Sequence, residues 1–436
     1  MIGTCNKERA ASRTTMGRAA DDGRTRAPVP KRCVVVGASV RAFVQSLARV
    51  GWLAHAADLF CDVDLVETAL EVVRLGEAGI ASYPDGIPGV VSSFPEAACV
   101  YTGALENHPD VIAEIAAARP LAGCSADSIR RVRDPTLLAT VVRDAGSRFP
   151  ETHATPTGLP TDGSFLVKPR RSAGGRGVRH WRGGRLDRAG RDVVWQRLVH
   201  GDCRSASYVA RRDGTHLIGS SLPLAGADWS GGRPFAYCGS VDAPLDGLPD
   251  GLRATFERLG TAVAAAFELK GLFGIDAIVD AAGDVHVLEV NPRPTASMEL
   301  IERATGWPVA AAHLAACGCG AAPPDGVAAT EIWAKAVVLT PDPVSSASSL
   351  AEAIARFGAG WSAADGMAAV ADIPPADEPP APGTPLVTVF ARAETHARAV
   401  ATLRQRVIDL RRAAAAGLSP RDAAQAEAPR PRGNTA

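Results

Sequence analysis

Asp276, Glu289 and Asn291 bring three side-chain oxygen donors into one short stretch of a 436-residue chain, GLFGIDAIVDAAGDVHVLEVN. Two apolar runs, residues 274–280 and 285–291, flank an Ala-Ala-Gly-Asp turn, a pattern that predicts a β-hairpin. Centring the turn on Ala282 and Gly283 predicts Asp276 opposite Glu289, Ile278 opposite Val287 and Gly274 opposite Asn291. Side chains alternate faces along a strand, so Asp276, Glu289 and Asn291 share one face. Ile275, Ala277, Val279, Leu288 and Val290 take the other. Two carboxylates directly opposite each other repel by up to about 1 kcal/mol, and a divalent cation between them reverses the sign. An all-oxygen donor set without Cys or His suits Mg²⁺, with Mn²⁺ as the alternative. A half-exposed hairpin with a solvated acidic face has the same pattern.

A second chemical stretch is SFLVKPRRSAGGRGVRHW, residues 164–181. A strand ending at Lys168 leads into a loop carrying Ser172, Gly174, Gly175 and Gly177. Glycines let backbone N–H groups approach phosphates closely, and a lysine at a strand end is a point charge suited to phosphate oxygens. The order, lysine before glycines with no G-K-[ST], is not that of a P-loop; a mobile surface loop shares the composition. Residues 192–201, DVVWQRLVHG, form a strand whose end, near Gln196 and Val199, could read an adenine edge. Arg293, held between two prolines just after Asn291, can meet a phosphate or carboxylate bidentately or pair with the nearby acids. Thr295 or Ser297 could cap the helix that follows.

The elements that must position these groups follow from periodicity. CVVVGAS, starting at Cys33, is a continuous apolar run, followed by helical spacing in RAFVQSLARVGW. Further strand-like runs (VVSSF, CVYTG) and a helix over residues 63–76 predict βαβ units and a parallel sheet. Only Gly37 of a G-x-G-x-x-G fingerprint is present, so a nicotinamide site is poorly supported. Asp58, Asp62 and Asp64 read as loop acids, which are mostly solvated. Asp134 could cap a helix over residues 135–144, with Pro135 at its first position; Arg130, Arg131 and Arg133 upstream are a solvated face or a phosphate contact. Antiparallel strands at 206–210 and 215–220, a helix at 252–267 and the acidic hairpin suggest an α+β layer. A Gly/Pro/Ala linker at 320–329 precedes IWAKAVVLT, PLVTVFA and a helix over 394–413.

Forty-seven basic and forty-seven acidic residues balance, which argues against nucleic acid or an acidic membrane as the main partner. No apolar run reaches the roughly 18 residues of a membrane span, and the N-terminus lacks the apolar core of a secretory signal. Nine cysteines without framework spacing fit reduced thiols in a cytoplasm. Residues 1–32, net +5, and 414–436 read as disordered tails.

In their order along residues 33–413, these motifs resemble the ATP-grasp superfamily. GASVRAF, DLFCDVD, NPRPTASMEL and PLVTVFA are similar to the group of predicted ATP-dependent carboligases related to biotin carboxylase. The resemblance implies an α/β plus α+β chain: an N-terminal parallel α/β (pre-ATP-grasp) domain at 33–119, a two-subdomain clasp at 120–319 divided near 200, and a small biotin-carboxylase-like module at 330–413. It implies ATP and Mg²⁺ as cofactors. Lys168 and Arg133 would contact phosphates, Ser172 to Gly177 would cover them, and Gln196 to Val199 would border adenine. Asp276, Glu289 and Asn291 would ligate the metal, and Arg293 would steady the transferring group. The implied activity is that of a cytoplasmic ligase: a carboxylate activated as an acyl phosphate and joined to an amine. Members of the wider group are linked to one-carbon cofactor pathways. A bicarbonate-using carboxylase and a non-catalytic nucleotide-binding regulator are the alternatives. Expected partners are small-molecule carboxylate and amine substrates, without nucleic acid or membrane, and a homodimer is the candidate assembly.

Overall fold

The computed structural model describes residues 31–76, 81–184, 192–324, 326–341, 347–361, 367–376 and 380–416. Of the expected tails, residues 1–30 and 417–436 lie outside the described residues; the chain from 396 runs as a helix to Ala416.

The N-terminal layer is a parallel sheet of β1 (Arg32–Val36), β2 (Leu53–Asp58), β3 (Glu71–Arg74) and β4 (Ala98–Tyr101) in the order β3-β2-β1-β4. The unbroken apolar run of β1 is explained by burial on both faces. Cys33 and Val35 pack with Phe43, Val44 and Leu47 of the helix Arg41–Arg49. Val34 and Val36 pack with Ile87, Val90, Ile112 and Ile115 on the other side. Two expectations change here. The helix expected over 63–76 is only Val63–Thr68, and β3 follows, because Val72 and Val73 are both buried and a two-faced strand mimics a helical apolar run. VVSSF is not a strand but belongs to the helix Ile87–Ser93, whose early Pro88 presets the helical φ.

Asp58 and Asp62 are buried rather than solvated. The Asp58 carboxylate accepts from the backbone N–H groups of Val40, Phe60 and Cys61 at 2.7–2.9 Å, and so ties the β1 turn to the end of β2. Gly37 N–H donates to Ala57 and Ala38 N–H to Gly103. The donors at this turn are thus used within the fold, which removes the support for a dinucleotide there.

A smaller antiparallel sheet contains β5 (Thr152–His153), β6 (Phe165–Pro169), β7 (Arg179–His180) and β8 (Val193–Arg197), ordered β5-β8-β6-β7. One face carries Phe165, Val167, Trp181, Val193 and Trp195 as a small core; by alternation Lys168 and Gln196 fall on the other.

The largest sheet takes β9 (Asp202–Arg211), β10 (Gly214–Ala225), β11 (Tyr237–Ala243), β12 (Gly271–Val279), β13 (Val285–Asn291), β14 (Ile332–Leu339), β15 (Val370–Ala371) and β16 (Pro385–Ala393). Their order is β13-β12-β9-β10-β11-β14-β16-β15. Tyr208, Phe273, Ile275 and Ala277 pack on Phe256, Leu259 and Val263 of the helix Asp250–Phe267. The strands beyond residue 330 continue this sheet, with Ser240 paired to Lys335 and Val241 to Ala334.

The layers are locked by buried charge. Arg41, 2% exposed, pairs with Glu299 and Asp372 and lies 3.6 Å from Asp64; Glu299 also meets Lys335 at 3.0 Å and Arg303 at 3.6 Å. One arginine from the first helix thereby joins the helix after β13 to the C-terminal strands. Removing one partner of a buried ionic network strands the others, so Arg41→Met is expected to lower unfolding free energy by about 3–5 kcal/mol, measured by urea denaturation.

His313 is buried; its Nδ1 accepts the Leu272 N–H at 2.9 Å, and its Nε2 donates to the Ala122 carbonyl at 3.0 Å. Burial pushes its pKa down to about 4. The unfolded imidazole protonates near pH ~6.5, so between there and pH 4 the unfolded state binds the extra proton and acidification destabilises, by about 1.4 kcal/mol per pH unit at most. His313→Gln should therefore show a shallower loss of melting temperature than the parent chain between pH 7 and pH 4.5.

Candidate active site

β12 and β13 pair antiparallel with Gly274 opposite Asn291, Ile275 opposite Val290 and Asp276 opposite Glu289. Beyond Asp276 the register shifts: Ala277 faces Val287 and Ile278 faces His286. Leu288 is the extra residue of a β-bulge, which corrects the expected Ile278–Val287 pairing and the expected place of Leu288 in the core. The bulge sends Val287, fully buried, into the apolar layer with Val285 and Val290, while Glu289 stays exposed. Hydrophobic burial on one side is thus reconciled with two acids side by side on the other.

Asp276 has its pKa pushed up to about 6 by burial first and by the neighbouring Glu289 charge second. Ser205, opposite it on β9, and Asn291 oppose that shift by hydrogen bonding to it. Asn291 Nδ2 donates to Asp276 Oδ2 at 2.9 Å, and Asn291 Oδ1 accepts from Arg293 Nη2 at 3.2 Å. Its amide nitrogen, not its oxygen, therefore faces Asp276. Arg293 Nη2 also pairs with Glu106 Oε1 at 2.8 Å, and Nη1 donates to the Pro294 carbonyl. Ser297 stands before the helix Met298–Thr305 without a side-chain cap; Thr295 Oγ1 lies 3.1 Å from its hydroxyl.

Lys168 comes from the opposite sheet. Its Nζ donates to Gln196 Oε1 at 2.9 Å, and Gln196 Nε2 donates to Thr152 Oγ1 at 3.1 Å. Burial lowers the Lys168 pKa, and the charges of Glu289 and then Asp276 oppose that shift. The lysine and the acidic pair are thus near enough to act on each other electrostatically. Gln196 is itself buried and is the acceptor that aims Lys168. Val199, half-buried, lies in the link between β8 and β9.

The glycine loop is docked. Gly174, Gly175 and Gly177 have φ of 59°, 72° and 81°, the left-handed region open to glycine. The Gly174 carbonyl accepts from Tyr237 N–H at 2.9 Å, and a Cβ on Gly175 would overlap the Phe235 carbonyl. The Ser172 carbonyl accepts from Asn107 Nδ2 at 3.2 Å, and the Ser172 hydroxyl donates to the Arg176 carbonyl. Arg133 Nη2 donates to Asn107 Oδ1 and to the Arg170 carbonyl, both at 2.7 Å. Arg133 therefore braces the loop's base against the N-terminal layer. Arg130 and Arg131 pair with Asp110 and Glu268 on the surface. As anticipated, Asp134 caps the helix Pro135–Asp144, accepting from Thr136 N–H at 2.8 Å and Leu137 N–H at 3.2 Å.

The sequence reading passed over Glu106, Asn107, Thr152 and Ser205. The available signal for Glu106 and Asn107 was their place just after β4, at the carboxyl end of a parallel sheet where ligands gather.

Residues 119–297 match the model of the ATP-grasp domain. The chain carries an ATP-grasp domain. Solved structures with ATP-grasp folds share its architecture at low identity, which speaks to the fold. The carboxyaminoimidazole ribonucleotide synthase of Aspergillus clavatus, solved with ATP, aligns at 14% identity with TM-score 0.64, over 88% of this chain and 99% of that one. The L-amino acid ligase of Bacillus licheniformis aligns at 13% with TM-score 0.60, over 86% and 96%. The biotin carboxylase domain of Hydrogenobacter thermophilus 2-oxoglutarate carboxylase, a dimer solved with MgADP, ADP and bicarbonate, aligns at 13% with TM-score 0.62, over 87% and 93%. No curated protein matches the chain.

Docking of the loop depends on Gly175, so Gly175→Ala is expected to release it. Limited proteolysis should then cut near residues 170–178 at least about tenfold faster than in the parent chain, a local opening of about 1.4 kcal/mol or more, while the helices elsewhere stay resistant.

Proposed function

We propose that this ATP-grasp protein is an ATP-dependent ligase that activates a substrate carboxylate as an acyl phosphate and joins it to an amine or similar nucleophile. The observation that carries the reading is Lys168, held by Gln196, within electrostatic reach of the directly opposed Asp276–Glu289 pair, with a docked glycine loop following its strand. The relatives solved with ATP, or with MgADP and bicarbonate, support nucleotide chemistry in a fold of this kind.

The residues fit a hard divalent cation. Two carboxylates stand directly opposite on adjacent strands, and burial first and the Glu289 charge second raise the pKa of Asp276. Asp276 and Glu289 would hold Mg²⁺, and rotation of the Asn291 amide would add a third oxygen; Mn²⁺ satisfies the same donors. The bound metal would neutralise phosphate charge. Lys168, held by Gln196, supplies a fixed positive charge on the phosphate side. Ser172, Gly174, Gly175 and Gly177 exclude water and bring backbone donors, Arg133 keeps that loop's base in place, and Val199 lies where an adenine would border the link between the sheets. Arg293 contributes a guanidinium beside the acids, where the acyl group must sit. Each of these is positioning and charge compensation before reaction, the terms that dominate when no protein nucleophile takes part.

The chemistry balances in two steps. A carboxylate oxygen attacks the terminal phosphorus and ADP leaves, giving the acyl phosphate. The amine nitrogen then forms the C–N bond, the C–O bond to phosphate breaks, and phosphate departs with the electron pair and one N–H proton. A bicarbonate acceptor is the carboxylase variant of the same scheme; phosphate release dependent on bicarbonate, not on an organic acid, would favour it. The cysteines of the described residues form no disulfide with one another, which supports a reducing, cytoplasmic setting; a homodimer is proposed by analogy with the biotin carboxylase domain. No helix of the described residues is long and apolar enough to cross a membrane.

Glu289→Gln keeps the shape and removes one charge of the pair. Turnover, read as ADP release with a carboxylate and an amine, should fall by on the order of 100-fold or more, with an unchanged circular dichroism spectrum. Activity within threefold of the parent chain would refute the role given to the acidic pair.

A further inference from the structure

The contact between Arg293 and Glu106 joins two parts of the molecule that the ligase reading leaves separate. Glu106 follows β4 in a short turn, Leu105–Asn107, at the carboxyl end of the N-terminal parallel sheet, and is 1% exposed. Only its Oε1 is engaged, by Arg293 Nη2 at 2.8 Å. Among the described residues its Oε2 is buried without a hydrogen-bond partner, and so are the Tyr83 hydroxyl and Arg293 Nε. Tyr83 senses both neighbours: burial raises its pKa most, the Glu106 charge raises it further and Arg293 opposes the shift. Gly103 stands beside the guanidinium, and a Cβ on it would lie 3.6 Å from Arg293 Cζ; without a side chain that flank stays uncovered. The Tyr83 and His108 rings meet edge to face at 5.7 Å.

Buried polar atoms almost always find partners, and each one left unpaired costs about 1–3 kcal/mol, more when it is charged. Three on neighbouring side chains, two of them in direct contact and the third within their electrostatic reach, define what a missing group must offer. Glu106 Oε2 can only accept, the Tyr83 hydroxyl can do either, and Arg293 Nε can only donate. A second anion is excluded by the carboxylate. A primary ammonium fits: several N–H donors, one for Glu106 and one for the tyrosine oxygen, with a charge that suits the carboxylate. Arg293 Nε is then left for an acyl oxygen. Because Glu106 and Arg293 touch, a nitrogen bound to one and an acyl group bound to the other arrive as neighbours, the arrangement that raises effective concentration.

We infer that Glu106, with the Tyr83 hydroxyl, is the recognition point for the ammonium group of the amine substrate, and that the N-terminal layer selects the nucleophile through it. This rests on the ligase reading and names its acceptor class: primary amines that arrive protonated, pass one proton to the free Glu106 Oε2, attack the acyl carbon with the lone pair so released, and lose the second N–H proton with the departing phosphate. The carboxylate beside Arg293 is a specificity determinant.

The test compares a charged with an uncharged nucleophile on the full chain. The twenty common amino acids, taken pairwise as acid and amine, are assayed for phosphate release with MgATP. The same acids are assayed with hydroxylamine, which is uncharged at neutral pH, for hydroxamate. For Glu106→Gln the ratio of kcat/KM for the amine to that for hydroxylamine should fall at least tenfold, mainly through KM. Tyr83→Phe, which deletes one oxygen, should move the ratio in the same direction by a smaller factor and guards against a Glu106 variant that fails to fold. An unchanged ratio in both variants, with hydroxamate still formed, would overturn the ammonium site, leave the ligase reading intact and mark the three atoms as a structural water site. Absence of hydroxamate and of phosphate release from the parent chain with every acid would overturn the ligase reading, and this inference with it.

Discussion

Two carboxylates held side by side on adjacent strands are the constraint around which the rest of the molecule is arranged. Register puts Asp276 directly against Glu289, an opposition that two-stranded pairing by itself disfavours. The fold answers locally in several ways. The Asn291 amide and Ser205 hydrogen-bond to Asp276, Arg293 stands two residues beyond the strand, and Lys168 acts on the pair electrostatically from the other sheet. None of these cations makes a direct ion pair with the two acids. Their positive charge is near enough to tune the pair without a salt bridge to either acid.

Keeping that face polar while the reverse face stays dry requires the bulge at Leu288. A regular ladder would have sent Val287 toward the cleft and Leu288 into the core; the inserted residue restores Val287 and Val285 to the layer under the helix Asp250–Phe267. A β-bulge beside an active site re-aims side chains in this manner. The same logic applies to the glycine loop, where three left-handed residues bring the backbone against Phe235 and Tyr237 in a way no side chain would permit.

The N-terminal layer takes part in the site directly. Asn107 holds both Arg133 and the Ser172 carbonyl, Glu106 holds Arg293, and Arg41 binds Glu299 one turn beyond the acidic strand. Buried ion pairs are uncertain sources of net stability, but they are specific about geometry. Here they fix how the parallel sheet sits against the sheets that carry Lys168 and the acidic pair.

The amino-acid sequence alone determined the local chemistry: the acidic hairpin and the pairing of its two acids, the lysine that precedes the glycines, the capped helix after Asp134, and the α/β alternation that starts at Cys33. These are written in short-range patterns of alternation, turn residues and caps. It did not determine the bulge, because one extra residue in a ladder leaves the apolar pattern nearly unchanged, nor β3 against a longer helix, because burial on both faces erases the period. The tertiary structure alone decided that Asp58 is interior, that Gln196 aims Lys168, and that Glu106 meets Arg293, residues 187 apart in the chain. Partners so distant share no periodicity; only the packing of one layer on another makes them neighbours.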